Sequence, residues 1–382
     1  MSCRIARSSV GILCSVVGLL FFLSVSAAYA APALDTSSDP PDEFFRGRVL
    51  SVVKEGQEDI AGYTHRYQLL RIKALTGSDK GKEFEIENGG ILPTDELQRA
   101  KLGETVVVLK TQQQGETTYS MVDTYRLPSL VIVTLIFLVL VLIWGRLRGV
   151  TAVAGLAFTI FVIIAFMIPR ILAGNDPFWV SLGSAGVIAV VSLYLAHGLN
   201  KRTSIAVVST LLTLGITAGI AVAFVSMTHL FGLGSETALY LQFGGLEKIN
   251  LRGLLLGAII IGSLGVLDDI TTGQAAALQE IKRVNPRLSF RELYSHGTAI
   301  GREHIASLVN TLALAYVGAA LPLFLLFSYY KTQPVWVTVN SELIADEVVR
   351  TIVGSIALVL AVPLTTALAA YFFSRERVAA HD

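Results

Sequence analysis

Seven apolar runs dominate the last two-thirds of the chain, at 127–144, 150–168, 178–197, 204–230, 252–270, 305–328 and 348–373. Most reach the roughly 17–25 residues that a helix needs to cross a hydrocarbon core about 30 Å thick. The stretch 129–144 carries no charged residue, a pattern foreign to the surface helix of a soluble domain. The run at 204–230 is longer than the core requires, and tilt accommodates it. The pattern predicts an all-α polytopic membrane helix bundle of about seven transmembrane helices over 127–374, followed by a short tail at 375–382.

Before the first run the rhythm changes. Short segments at 46–54, 63–74, 83–87, 105–111 and 118–124 read as strands, and in 83–87 polar and apolar residues alternate strictly, the period-two mark of a half-buried strand. Glycines at 77, 81, 89, 90 and 103 punctuate them. Five short strands in this space predict a small β-barrel-like domain over 31–126, OB-like or SH3-like. A linker with prolines and serines at 32–43 leads into it. The chain opens with Arg4 and Arg7, an apolar stretch at 10–25 and Ala28-Tyr29-Ala30, the pattern of a signal peptide over 1–30 cut after Ala30. An uncleaved signal anchor is the competing reading, because the apolar core falls just short of a span. Both place 31–126 outside the cytoplasm.

Composition agrees with the runs. Hydrophobic residues make up 53% and charged residues 15%, with a mean hydropathy of +0.63, against about 45–50% and about 25% in an ordinary soluble domain. A net charge of +1 gives no bulk field to draw nucleic acid. Acids slightly outnumber bases between 44 and 125 and no basic-aromatic stripe occurs, so the β-domain reads as a structural cap or a contact for an extracytoplasmic protein partner. Both cysteines, Cys3 and Cys14, lie in the leader. A processed chain therefore has no disulfide, cysteine-ligated metal or cysteine nucleophile. With the N-domain outside, the inner loops and tail hold Arg146, Arg148, Lys201, Arg202, Lys282, Arg283, Arg287, Arg291, Arg302, Arg375 and Arg377. The outer loops hold only Arg170, Lys248, Arg252, Lys331 and Arg350. The bias predicts a multi-pass protein of the plasma membrane with a cytoplasmic C-terminus.

Candidate chemistry centres on 262–274, where Asp268 and Asp269 end an apolar helix that begins near Arg252. Sixteen residues at 1.5 Å put Asp268 about 24 Å along it, in the cytoplasmic third of the bilayer. Neighbouring positions diverge by about 100°, so the two acids cannot both face one partner. A charge at membrane depth costs roughly 2.5–3.5 kcal/mol and so faces protein or water. One reading is a proton or cation site helped by Thr271 and Thr272; the other is an interfacial pair that reaches water, Arg283 or Arg302. A second polar group opens the next helix: Glu303, Ser307 and Asn310 share one face by spacing, with His304 and Thr311 beside it. Asn310 also suits a hydrogen bond between helices. Gly215 with Gly219, and Gly253 with Gly257, have the spacing of helix-packing pairs.

Enzyme signatures are missing. No His-Glu-x-x-His, Gly-x-Ser-x-Gly or phosphate loop with its Lys occurs, and Gly265-Val266-Leu267-Asp268 does not match an intramembrane aspartyl protease turn. His304 has no second histidine at ligand spacing. The reading is that of a protein with no catalytic residues, metal site or cofactor.

The same stretches resemble the YibE/F family of bacterial multi-pass membrane proteins, through Gly265-Val266-Leu267-Asp268-Asp269, Gly301-Arg302-Glu303 and the run 310–319. Gly47-Arg48-Val49 and 77–82 in the N-domain are similar too. The resemblance supports the topology more than a mechanism. The expectation is a transporter or permease-like protein that uses the acidic pair on a small ion or solute; the alternative is a non-catalytic membrane scaffold presenting its β-domain to a partner.

Overall fold

The computed structural model describes residues 42–60, 63–89, 99–113, 116–244, 248–329 and 334–375. The expected signal peptide at 1–30, most of the 32–43 linker and residues 376–382 of the tail lie outside the described residues. The chain forms two compact units that divide between Leu140 and Val141.

The first unit is one antiparallel sheet of β1 (Glu43–Ile60), β2 (Tyr63–Ala74), β3 (Glu83–Asn88), β4 (Thr105–Gln113) and β5 (Glu116–Thr124), in the order β3-β2-β1-β4-β5. The long β1 is central, pairing with β2 on one side and with β4 through Glu43–Arg48 on the other. Its register slips between Val49 and Ser51 and again between Val52 and Lys54; such irregularities bend and twist a strand. The alternation then collects Phe45, Val49, Leu70, Ile72, Ile86, Val106 and Val108 on one buried face. Each fully buried aliphatic side chain contributes about 1.5–3 kcal/mol.

The sheet curls without closing. Among the described residues no backbone ladder joins β3 to β5. Side chains meet there instead: Phe84 stacks on Tyr119 with ring centroids 4.4 Å apart, and Phe45 stands edge-on to both. The expected barrel is thus a curled half-barrel, because β3 is six residues long and pairs with β2 alone.

The β2–β3 turn is anchored by charge. Gly77 takes φ +85°, and a Cβ there would meet Phe45 at 2.8 Å and Glu43 Oε1 at 2.9 Å. The Ser78 backbone N–H donates to Glu43 at 2.7 Å. The buried Asp79 carboxylate accepts from Lys110 Nζ at 2.5 Å, Lys82 Nζ at 2.6 Å and Tyr119 OH at 3.0 Å. The Lys110 hydrogen bond first, and then that of Lys82, hold Asp79 well below the usual carboxylate range, while burial pushes the Tyr119 phenol up.

The helices are α1 (Leu127–Val162), a π-helical turn (Ile163–Met167), α2 (Ile168–Leu172), α3 (Pro177–His197), α4 (Lys201–Met227), α5 (Glu236–Phe243), α6 (Leu251–Val284), α7 (Phe290–Ala319), α8 (Leu321–Tyr329), α9 (Val335–Asn340) and α10 (Glu342–Ser374). Their starts follow the capping rules. Asp176 accepts from Phe178 N and Trp179 N ahead of Pro177, Asn200 accepts from Thr203 N, and Asn250 from Gly253 N. Ser289 and Glu292 form a reciprocal capping box.

Among the described residues five helical stretches are long and apolar enough to cross a membrane, or six if α7 and α8, bent by 66°, form one span. The difference from the expected seven has a local cause. Two of the expected runs fall within the single stretch Leu127–Leu172, although the backbone leaves helical geometry at Arg146, with φ 50° and ψ −130°. The core of the second unit lies between α3, α4, α6 and α10, around Ile188, Leu214, Ile260, Leu264, Leu267 and Ala361. Ser209, Thr213, Thr217 and Ser263 are buried there, each donating to the carbonyl one turn back at 2.7–2.8 Å.

Candidate functional site

The site is built on the second half of α6, which stays helical through the acid pair, so the two side chains part by about 100°. Asp268 is half-buried and turns toward α3, beside Ser192. Its Oδ1 is occluded and, like the adjoining Ser192 Oγ, makes no well-formed hydrogen bond, although the hydroxyl is near enough to favour the carboxylate. Asp269 is exposed. It interacts electrostatically with His197 at the end of α3, and His197 also feels Arg202 and Arg148.

The two threonines serve the helix and its neighbour. Thr272 Oγ1 donates to the Asp268 carbonyl at 2.7 Å. Thr271 is fully buried and shares a 2.8 Å hydrogen bond with Thr210 Oγ1 of α4. Neither hydroxyl is hydrogen-bonded to the Asp268 carboxylate.

Helix α7 turns its polar group elsewhere. Gly297 and Gly301 face α6 and α10: a Cβ on Gly301 would meet Val362, and one on Gly297 would meet Leu278 at 2.6 Å and Thr366 at 2.8 Å. Ile305 and Leu308 continue this packing face. Glu303 stands two residues from Gly301, about 200° around the helix, and with Ser307 and Asn310 it is exposed. The expected pocket shared between the acid pair and Glu303, Ser307 and Asn310 is therefore not formed. His304 is half-buried and its Nδ1 is occluded without a partner.

The glycine pairs differ. Gly253 lies against Pro177 at 3.2 Å and Gly257 against Ser181 of α3. Gly215 and Gly219 look into open space, with nothing within 4 Å of a Cβ. Among the described residues nothing packs on them, because the inward face of α4 is the one bearing Thr213, Leu214, Thr217 and Ala218.

Three polar residues with occluded side-chain atoms escaped the sequence reading. Ser192 sits beside Asp268. Gln274 is fully buried and donates to Gly297 O at 2.6 Å and Thr366 Oγ1 at 2.8 Å, leaving its Oε1 without a partner. Asp346 lies on the buried stripe of α10 with Val349, Val353 and Ala357. That spacing of three and four was a usable signal, missed because the apolar run begins only at 348.

Among the described residues no three His, Cys, Asp or Glu side chains converge to hold a metal ion. Adjoining cavities of about 310 and 250 Å³ share Asn250 and Arg252, at the opposite end of α6 from the acids. What the Asp268 site offers chemically is an occluded carboxylate oxygen beside a hydroxyl, suited to holding a proton or a small cation.

Among protein families, a model described as YibE/F-like protein matches residues 133–375. The chain belongs to the YibE/F-like family. The match takes in every helix of the site and leaves out the half-barrel. Comparison with curated proteins and with solved structures gives no match. In this YibE/F-like chain the arrangement of long apolar helices is that of a membrane protein.

Proposed function

We propose that this YibE/F-like protein is a transporter or permease-like protein of the plasma membrane, not an enzyme, in which Asp268 exchanges a proton or small cation. The observation that carries the reading is the occluded, unpartnered Asp268 Oδ1 inside an apolar bundle. Ionisable groups at membrane depth are costly and face protein or water, where they mark ion pathways.

The proposal includes seven spans. As one straight helix, the 46 residues of Leu127–Leu172 measure about 69 Å, more than twice the hydrocarbon core. A Cβ on Gly149 would meet the Val141 carbonyl, whereas residues eight apart in a straight helix are separated by about 12 Å along its axis. The chain thus turns sharply at Arg146, and two spans replace one. With the basic loops inside, the half-barrel lies outside the cytoplasm behind a signal peptide and the C-terminus lies within. The partners are then the bilayer and a small ion or solute.

One observation favours a second reading, a scaffold that recruits another chain. Glu303, Ser307 and Asn310 form an outward polar face on α7, and polar side chains join membrane helices through hydrogen bonds.

Reconstitution separates the two. Purified protein in liposomes, given an imposed proton or sodium gradient, should dissipate it faster than empty liposomes, and the double variant D268N/D269N should not. Wild-type protein that is folded yet moves neither ion faster than empty liposomes supports the scaffold.

A further inference from the structure

We propose that Asp346 is a second carboxylate site for a monovalent cation, the proton included, at the far end of the bundle from Asp268. The inference does not depend on whether Asp268 works as proposed.

Asp346 lies on the buried stripe of α10 and is only 6% exposed. The segment 230–235 lies over it. Glu342, one turn earlier, fastens that segment by accepting from Phe231 N at 2.6 Å and Leu233 N at 3.0 Å. Gly234 then passes so close that a Cβ would meet the Asp346 carboxyl carbon at 2.7 Å and the Glu342 carbonyl at 2.8 Å. This cover engages the Oδ2 side of the carboxyl. Oδ1 is occluded and has no hydrogen-bond partner.

Among the described residues the Gly234 N–H and Arg350 compensate a charge on Asp346 only in part, against Glu342 and Glu347. Its titratable neighbours are Glu342, Glu347 and Arg350 on α10, and Tyr316 of α7 interacts with Arg350 and Glu347. The segment 230–235 brings backbone and no charged side chain. Among the described residues Arg350 is the one cation of the group; its Nη1 donates to Glu347 at 2.6 Å, and its Nε is occluded without a partner. Three carboxyls against one engaged guanidinium leave room for one more positive charge. A proton on Oδ1, or a metal ion against it, supplies the charge and the missing ligand together.

The site is distinct from the acid pair. Helices α6 and α10 run parallel: a Cβ on Gly354 would lie 3.9 Å from Ser263 Oγ, while Leu278 and Thr366 both face Gly297. Asp346 is eight residues to one side of the Gly354 level and Asp268 five residues to the other side of Ser263. The two carboxyls are thus roughly 20 Å apart along the bundle at 1.5 Å per residue.

A hydrophobic carbodiimide, which modifies buried protonated carboxyls, tests this on the full-length protein in detergent. Adducts are mapped by mass spectrometry, with exposed Glu280 as internal reference. Asp346 should be modified in the wild type and in D268N. Its labelling relative to Glu280 should be lost as pH rises at fixed salt if the ligand is the proton, or as sodium rises at fixed pH if it is a metal cation. An Asp346 that stays unmodified in folded protein, or whose labelling responds to neither pH nor sodium, overturns the proposal.

Discussion

Replacing Gly301 with alanine probes the packing that seats α7. The new methyl group would run into Val362 Cγ1 and stand 3.3 Å from Gln274 Nε2. Neither neighbour gives easily. Valine has no torsion beyond χ1 to swing aside, and the Gln274 amide is held by Gly297 O and Thr366 Oγ1. Overpacking of this kind costs about 2 kcal/mol, while alanine in place of glycine in a helix returns about 1 kcal/mol. The net expectation is a loss of about 1 kcal/mol. Gly215→Ala is the matched control: its Cβ meets nothing within 4 Å, so only the gain of about 1 kcal/mol applies. The two variants should therefore differ by about 2 kcal/mol and in opposite directions from wild type. Thermal or denaturant unfolding of purified protein in one detergent measures the difference. If both glycines respond alike, α7 does not pack through Gly301 as described.

The half-barrel should lose stability in acid through Asp79. Its folded carboxyl is held down by Lys110 and Lys82, so its contribution is fully present above the unfolded value of about 3.9 and is lost as pH falls below that toward the folded value. Unfolding of residues 32–126 followed against pH checks this, and D79N should be less stable near neutrality with a flatter acid limb. A second expectation concerns topology. Single cysteines at Thr117 and Asn175 should react with an impermeant thiol reagent from outside, and those at Leu199 and Asn285 only from inside. An Asn175 reporter reactive only from the cytoplasm contradicts the turn at Arg146.

Much of the half-barrel was legible because its strands obey a two-residue rhythm. The segments read at 63–74 and 105–111 coincide with β2 and most of β4, and local pattern suffices where one sheet face is buried. Closure was not legible. It depends on whether β3 reaches β5, and no local pattern encodes that distance. In the helical unit, length and hydropathy located the long apolar helices, but not their number as spans, and the facing of each helix followed other rules. The spacing of Glu303, Ser307 and Asn310 correctly groups them on one face, yet glycines at 297 and 301 decide which face packs, since they let α7 approach α6 and α10. Asp346 was hidden by treating charge as the edge of a span, although its three- and four-residue spacing to Val349 and Val353 continues the buried stripe.

The claim that Asp268 rather than Asp269 is the working acid is tested most directly by comparing the single variants in one flux assay. Proteoliposomes carrying a pH-sensitive dye, with the membrane potential clamped, report proton entry; a sodium-sensitive dye serves the other ion. D268N should fall to the rate of empty liposomes while remaining monodisperse and folded. D269N, which alters an exposed carboxyl beside His197, should retain flux with a changed dependence on pH. A folded D268N that moves ions at the wild-type rate would contradict the account, whatever D269N does.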